Sequence, residues 1–383
     1  MRRPGRCSDQ RERRSERDEP AKTKEHSQTS LPKRGLHASR TVGFAVAPRW
    51  KTGTSMIARL VALAFLVPLA FAIGAAVGGA AIPPVDLITA LFHPHAGGDA
   101  TTIVWALRIP RLCLAAAVGA CLGIAGTIMQ AMLRNPLVDP YLTGVSSGAG
   151  AAIAIAVTLG VALPVVPAIG FAAGLATAIL VAMLARRGTG LDPERLILAG
   201  VSLSALFSAI VALVLTRLAR GGSSDAILAW LAGSLVGRGW SELIAAAPYA
   251  LFGTAIAFVF VPALNVLRLG ERRAASLGVD VTRVQWALLA AASLLTAAAV
   301  ALAGMVGFVG LIVPHLARRI VGNDLRVMLP AAALLGAALV IIADAASRSL
   351  IAPIEIPLGV LLAFIGVPAF LYLYLRGAAK AYA

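Results

Sequence analysis

Apolar runs of about 20 residues, each long enough for a helix to cross a hydrocarbon core roughly 30 Å thick, recur along this chain from residue 60 almost to its end. They predict helices at 60–82, 111–133, 143–163, 166–186, 195–217, 243–267, 284–303, 306–321, 328–349 and 356–376. Ten spans put both ends of the chain on one side. The division inside 284–321 falls at "AGMVGFVG", Ala303 to Gly310, where three glycines interrupt the helical pattern. Two polar interruptions are long enough to form structure of their own. In "SSDAILAWLAGSLVGRGWSEL", Trp230 and Trp240 flank a segment too short to span, which reads as a re-entrant or interfacial helix anchored by its indoles. In "RLGERRAASLGVDVTR", Arg268 to Arg283, a polar, helix-capable stretch offers a contact surface to a cytoplasmic partner.

Composition agrees with this pattern. The 383 residues are 59% hydrophobic and 14% charged, and the mean hydropathy of +0.84 lies outside the range of soluble domains. The expected class is therefore an all-α, multi-pass membrane protein. Half of the formal net charge of +16 sits in residues 1–55, which hold 14 Lys and Arg against 6 Asp and Glu. That tail has no apolar period and is expected to be disordered. Attraction to anionic lipid or nucleic acid is one reading of it. The simpler one is an inert or over-extended start, because Met56 opens a complete membrane-protein beginning, "MIARLVALAFLVPLAF". The expected division is thus a tail at 1–55 and a membrane domain at 56–383.

Lys and Arg collect in cytoplasmic loops. With the amino end cytoplasmic, fourteen basic residues outside the tail fall inside and six outside. Those six are Arg108, Arg111, Arg217, Arg220, Arg238 and Arg348, so both termini are expected in the cytoplasm and "RIPR" on the outer side. Of the three cysteines, Cys7 lies in the tail, and Cys113 and Cys121 lie eight residues apart in one run, about 12 Å along a helix and too far for a disulfide. No metal-ligand spacing occurs, and no cofactor is expected.

The chain has no G-x-x-x-x-G-K-[ST] loop, so it does not itself bind and split ATP by that route. "GVSSGAG" (144–150) and "GACLGIAG" (119–126 from its first glycine) are better read as close helix packing through small residues than as phosphate loops. In "RNPLVDPYLTG", Pro136 and Pro140 push Asn135 and Asp139 out of helical geometry, giving either a connector or a rigid constriction at the inner end of a pathway. His315 has no carboxylate or nucleophile near it in sequence and reads as a packing or helix-terminal residue. Asp344 is either a proton-relay carboxylate or, with Arg348 at i+4, half of a structural pair.

The order of these pieces carries a resemblance. "LRIPRLCLAAAVGACLGIAGTIMQAMLRNPLVDPYLTGVSSGAG", "LILAGVSLSAL", "WLAGSLVGRGWSEL", "LGERRAASLGV", "AGMVGFVGLIVPHLARRIVGNDLRVMLPAAALLGA" and "EIPLGVLLAFIGVPAFLYLY" resemble the FecCD-type permeases across about residues 57–376. These are the ABC importer subunits for iron-siderophores, haem and vitamin B12. The resemblance implies the type II importer fold of ten transmembrane helices, a second permease copy in a homodimer or related pair, a cytoplasmic ATPase dimer that hydrolyses the ATP, and an extracytoplasmic substrate-binding protein. It implies that Arg108, Arg111 and Arg348 receive carboxylates of the binding protein, a task suited to the planar guanidinium. It implies coupling to the ATPase through Gly270, Glu271, Leu277 and Gly278, and an inner gate at Asn135 and Leu137 with Asp192, Pro193 and Glu194. These last three stand where some relatives carry small hydroxyl residues. Ser202, Ser204 and Ser208 on the fifth helix are candidate pathway groups, although membrane hydroxyls also bond their own backbone. The competing classes are an ion-coupled secondary transporter, which would work through carboxylates such as Asp344 or Glu355, and an intramembrane enzyme, for which no catalytic cluster is evident. No nucleic-acid partner is expected, and the surroundings are membrane lipid.

Overall fold

Helices fill nearly all of residues 53–77, 83–93, 98–187, 190–218, 223–352 and 354–381, the residues described by the computed structural model. The basic tail up to residue 52, Cys7 and Arg220 lie outside the described residues. The helices are α1 (Gly53–Ala76), α2 (Pro84–Phe92), α3 (Asp99–Thr102), α4 (Ile109–Met132), α5 (Val145–Thr158), α6 (Val166–Leu184) and α7 (Pro193–Leu213). There follow α8 (Ser223–Leu231), α9 (Trp240–Leu267), α10 (Glu271–Ser276), α11 (Val281–Ala303), α12 (Val309–Val321), α13 (Leu325–Ser349) and α14 (Leu358–Ala381). A two-stranded antiparallel ribbon, β1 (Arg186–Arg187) and β2 (Gly190–Leu191), pairs Arg186 with Leu191. The first helix begins at Gly53, three residues inside the stretch assigned to the tail.

Each of the ten predicted apolar stretches holds a helix. Among the described residues, however, seven helices are long and apolar enough to cross a membrane; α5 and the apolar part of α14 are shorter. α12 has only 13 residues.

Polar side chains set where the helices start. Asp192, Asp280 and Asp324 each accept backbone N–H groups at the head of α7, α11 and α13, as N-cap residues do. Pro193 occupies a first-turn position where no N–H is needed. The break after α11 falls at Gly304, whose φ is +70°. A side chain there would collide with the Trp230 carbonyl.

The helical run from Asp99 to Met132 is continuous, so "RIPR" is not at a helix mouth as the apolar pattern suggested. Pro110 cannot donate a backbone hydrogen bond and its ring crowds the carbonyl four residues earlier. Just ahead of it, Ile103–Arg108 widens into a π-helical turn that absorbs the conflict and ends on Arg108.

α4, α11 and α13 form the centre of the bundle, whereas α1, α7 and α9 are mostly exposed. Glycine makes the central crossing possible. A Cβ on Gly119 would land on the Gly336 carbonyl, and one on Gly336 would land on that of Gly119. Two helices thus meet backbone to backbone, the close approach that small residues permit. The exposed apolar residues, among them Phe65, Leu198, Phe252 and Val259, lie mainly on the peripheral helices.

The breaks at 133–144 and 304–308 are joined. Tyr141 accepts the Val306 N–H at 3.1 Å. Buried Gln130 donates toward the carbonyls of Val138, Gly310 and Leu311 at 3.3 Å.

The Trp230–Trp240 segment differs from expectation. The helix, α8, precedes it, and the residues between the two indoles form a turn-rich loop. Trp230 is buried against Ala149, Ile153 and Val300, so it is a core residue and not an interfacial anchor. Burial of so large a ring outweighs the interface preference.

Candidate functional site

Two polar clusters lie at opposite ends of the central helices. At one end, α4 presents Arg111, α13 presents Asp344 and Arg348, and the segment before α14 presents Glu355. Arg111 Nε donates to Asp344 Oδ1 at 3.0 Å, while its two terminal nitrogens donate to Glu355 at 3.2 and 2.8 Å. The fork on Glu355 is bidentate, the strongest form of such a pair. Asp344 is fully buried and also pairs with Arg348 Nε at 3.0 Å.

Arg348 and Arg108 then turn to α1. Arg348 donates to the carbonyls of Val77 (3.0 Å) and Gly74 (3.1 Å), and Arg108 donates to that of Ala75. The last carbonyls of a helix lack intrahelical partners and carry its negative dipole end. Two arginines therefore cap α1 and tie it to the centre of the bundle. Asp344 and Arg348 do form the i, i+4 pair expected of them, but as part of a network of three cations and two anions.

These positions revise the picture of three arginines waiting for an outside carboxylate. Arg108 and Arg348 are each 6% exposed and have partners within the chain. Arg111 is 15% exposed at its side chain and is already held by two carboxylates. Glu355, 37% exposed, is the most open member of the network. The counter-charges missing from the sequence pattern are thus supplied from 233 and 244 residues away in the same chain.

At the other end, a cavity of about 980 Å³ gathers residues that the sequence reading had assigned to two different tasks. Asn135, Asp192, Pro193 and Glu194 line it together with Glu271. Gly270 lies beside it at the head of α10, with φ +111°, and Gly278 follows the helix with φ +83°; both are backbone shapes that favour glycine. Leu277 is two-thirds exposed.

Much of the polar chemistry here holds the loops in shape. Asn135 Oδ1 accepts the Leu137 N–H at 2.9 Å, closing a turn that leaves Leu137 exposed. Arg134, with φ +51°, adopts the left-handed conformation ahead of that turn. Asp192 accepts the N–H groups of Glu194 and Arg195 and pairs with Arg187 at 3.4 Å. The Arg195 N–H foremost, then that of Glu194 and the Arg187 charge, hold its carboxylate below its ordinary range despite some desolvation.

Asp139, half-buried in the same break, is pushed up to about 6 by burial, which outweighs the Tyr141 N–H it accepts. On α7, Ser204 accepts a hydrogen bond from Ser147 of α5 at 2.9 Å, whereas Ser202 and Ser208 are exposed. His315 is in the middle of α12, with Nε2 sheltered and unpartnered among the described residues.

Sequence reasoning missed Gln285 and Arg134, both of which line this cavity. Gln285 was visible only as a polar residue inside the first turns of an apolar helix. Arg134 stood out only as the residue before Asn-Pro.

A bundle of long apolar helices with an ionic network at one end and an open polar cavity at the other is the architecture of a multi-pass membrane protein. Residues 65–376 match the FecCD transport family, and the chain belongs to it. It is 40% identical over 330 residues to the cobalamin import system permease protein BtuC of Halobacterium salinarum, covering 82% of this chain and 88% of that one. It is 38% identical over 285 residues to the hemin transport system permease protein HmuU of Yersinia pestis, covering 73% and 81%. A solved chain described as a metal-chelate type ABC transporter, in an inward-facing conformation, superimposes with a TM-score of 0.74 at 31% identity. That match covers 83% of this chain and 98% of the other. The protein is a permease subunit of an ABC importer in the cell membrane, a transport component and not an enzyme.

Proposed function

We propose that this permease carries a metal chelate, an iron chelate such as a siderophore complex or haem, or else cobalamin, into the cytoplasm by alternating access between two copies of the chain. The relatives support the cargo class: one is a cobalamin permease, one a hemin permease, and one is described as of metal-chelate type. All three name a metal held in an organic ligand. In this reading α5, α12 and α14 complete ten spans, both termini are cytoplasmic, and the cavity beside α10 faces the cytoplasm.

An ATPase dimer docks on that face, at Gly270, Glu271, Leu277 and Gly278, and works the gate formed by Asn135, Leu137 and Asp192–Glu194. The observation that carries this is the shared cavity, which puts the coupling residue Glu271 and four of the five gate residues on one surface. A substrate-binding protein docks at the opposite end, where Arg111 and Glu355 are the accessible groups and Arg108 and Arg348 hold them from beneath. A second copy covers the exposed flank of α7, where Ser202 and Ser208 then face the pathway. ATP and cargo each shift the inward–outward equilibrium only by their differential affinity for the two states.

The ion-coupled alternative needs a membrane carboxylate free to exchange a proton. Asp344 is instead fixed by two arginines and Glu355 by one. Reconstitution in proteoliposomes tests the reading. Uptake should require ATP, the ATPase and the binding protein together, and uptake driven by an ion gradient with neither protein present would overturn it.

A further inference from the structure

Gln285 is 3% exposed and uses both ends of its amide on segments far apart in sequence. Its Oε1 accepts the Leu191 N–H at 3.1 Å, on β2. Its Nε2 donates to Glu271 Oε1 at 3.0 Å, at the first residue of α10. Leu191 immediately precedes Asp192, Pro193 and Glu194. Among the described residues, no other side chain hydrogen-bonds to both β2 and α10. Gly190 lies close against the link: a Cβ there would meet Gln285 Oε1 at 3.3 Å.

The two attachments are of different kinds. The backbone N–H of Leu191 is an obligatory donor that burial makes costly to leave unpaired. Glu271 is the first residue of a six-residue helix and is exposed, as are Arg272 and Arg273, so its bond to Gln285 is part-buried. A displacement of α10 therefore cannot proceed far without either breaking the Gln285 bonds or dragging β2 along. β2 in turn is covalently joined to the cap of α7.

We propose that Gln285 is a positioning residue that transmits the movement of α10 to the ribbon 186–191 and from there to the gate residues at the head of α7. The proposal rests on the reading that α10 receives the ATPase, and it adds the mechanical connection between that surface and the gate. The Leu191 half of this clip is buried and directional, and the Glu271 half is short and part-buried, whereas the neighbouring Arg187–Asp192 pair is exposed and screened.

The test uses the full complex with its ATPase and binding protein in proteoliposomes, and reads cargo imported per ATP hydrolysed. Gln285→Leu keeps the volume and loses both bonds. Gln285→Glu keeps the acceptor for Leu191 but sets a carboxylate against Glu271. Glu271→Gln with Gln285→Glu restores both bonds with the donor and acceptor exchanged. Both single variants should lower the import-to-hydrolysis ratio about tenfold, within the usual range for coupling between sites. The exchanged pair should recover most of it.

Hydrogen–deuterium exchange supplies a second measurement that does not depend on transport. In the wild type, nucleotide should alter the protection of 186–191 and of α10 together; in Gln285→Leu it should alter α10 alone. A purely structural role would reduce the amount of complex and leave the ratio and the joint response unchanged. That outcome, or a failure of the exchanged pair to recover the ratio lost in Gln285→Glu, overturns the proposal. If wild-type complex shows no ATP-dependent import at all, the coupling reading beneath it fails instead.

Discussion

Replacing Asp344 by alanine removes the one carboxylate shared by Arg111 and Arg348. Arg111 keeps its fork on Glu355, and Arg348 keeps the carbonyls of Gly74 and Val77, but neither bond set supplies the buried negative charge. Breaking a buried pair by removing one partner costs about 3–5 kcal/mol. Because both arginines retain hydrogen bonds, the lower end, about 3 kcal/mol, is the expected loss. Glu355→Ala gives the contrast. Its side chain is 37% exposed, so water compensates for much of the lost pair and the expected cost is about 0.2–1 kcal/mol. Asp344→Ala combined with Arg348→Met should recover part of the deficit, since an apolar pair of similar volume is tolerated where a lone buried cation is not. Equilibrium unfolding in mixed micelles, followed by tryptophan fluorescence, measures all three. Equal losses for Asp344→Ala and Glu355→Ala, or a loss below about 1 kcal/mol for the first, would refute the reasoning that Asp344 is the buried keystone of this network.

Gly119→Ala should destabilise the permease by about 1–3 kcal/mol in the same assay, because the added methyl meets the Gly336 backbone and no flexible side chain can yield. Asp139→Asn should flatten the pH dependence of stability. With the folded carboxyl pushed up to about 6 from an ordinary 3.8, the fold favours its protonated form. That contribution is complete below the ordinary value and is lost as pH rises through about 6, so wild type, but not the variant, should weaken over this interval. Topology is checked by labelling with a membrane-impermeant maleimide: Val236→Cys should react from outside intact cells, and Leu277→Cys only after the membrane is opened. Arg111→Ala should weaken capture of the binding protein in a pull-down while ATPase capture persists; unaltered capture of the binding protein would remove Arg111 from the docking surface.

The helices themselves were legible because apolar run length and punctuation by proline, glycine and aspartate are local properties. The break at 303–310 and the packing role of "GACLGIAG" both follow from a few adjacent residues. The Trp230–Trp240 segment was misread because tryptophan serves both interfaces and cores, and only the presence of α5 beside it decides which. α2 was not anticipated, as nine residues fall below the length at which an apolar run becomes distinctive.

The amino-acid sequence by itself determined that the chain is a multi-pass α-helical membrane protein, where most of its helices begin and end, and, through an ordered set of motifs, its family. Tertiary structure alone decided which partners the buried charged groups meet. Hydrophobic periodicity records which face of a helix avoids water, but it carries no information about which distant polar group will meet it there. The partners of Arg111 lie 233 and 244 residues away, and those of Gln285 are separated from each other by the whole of the α7–α9 segment. In a low-dielectric bundle such pairings are compulsory, since a buried charge or amide left alone is costly, yet their identity is fixed only when the helices pack.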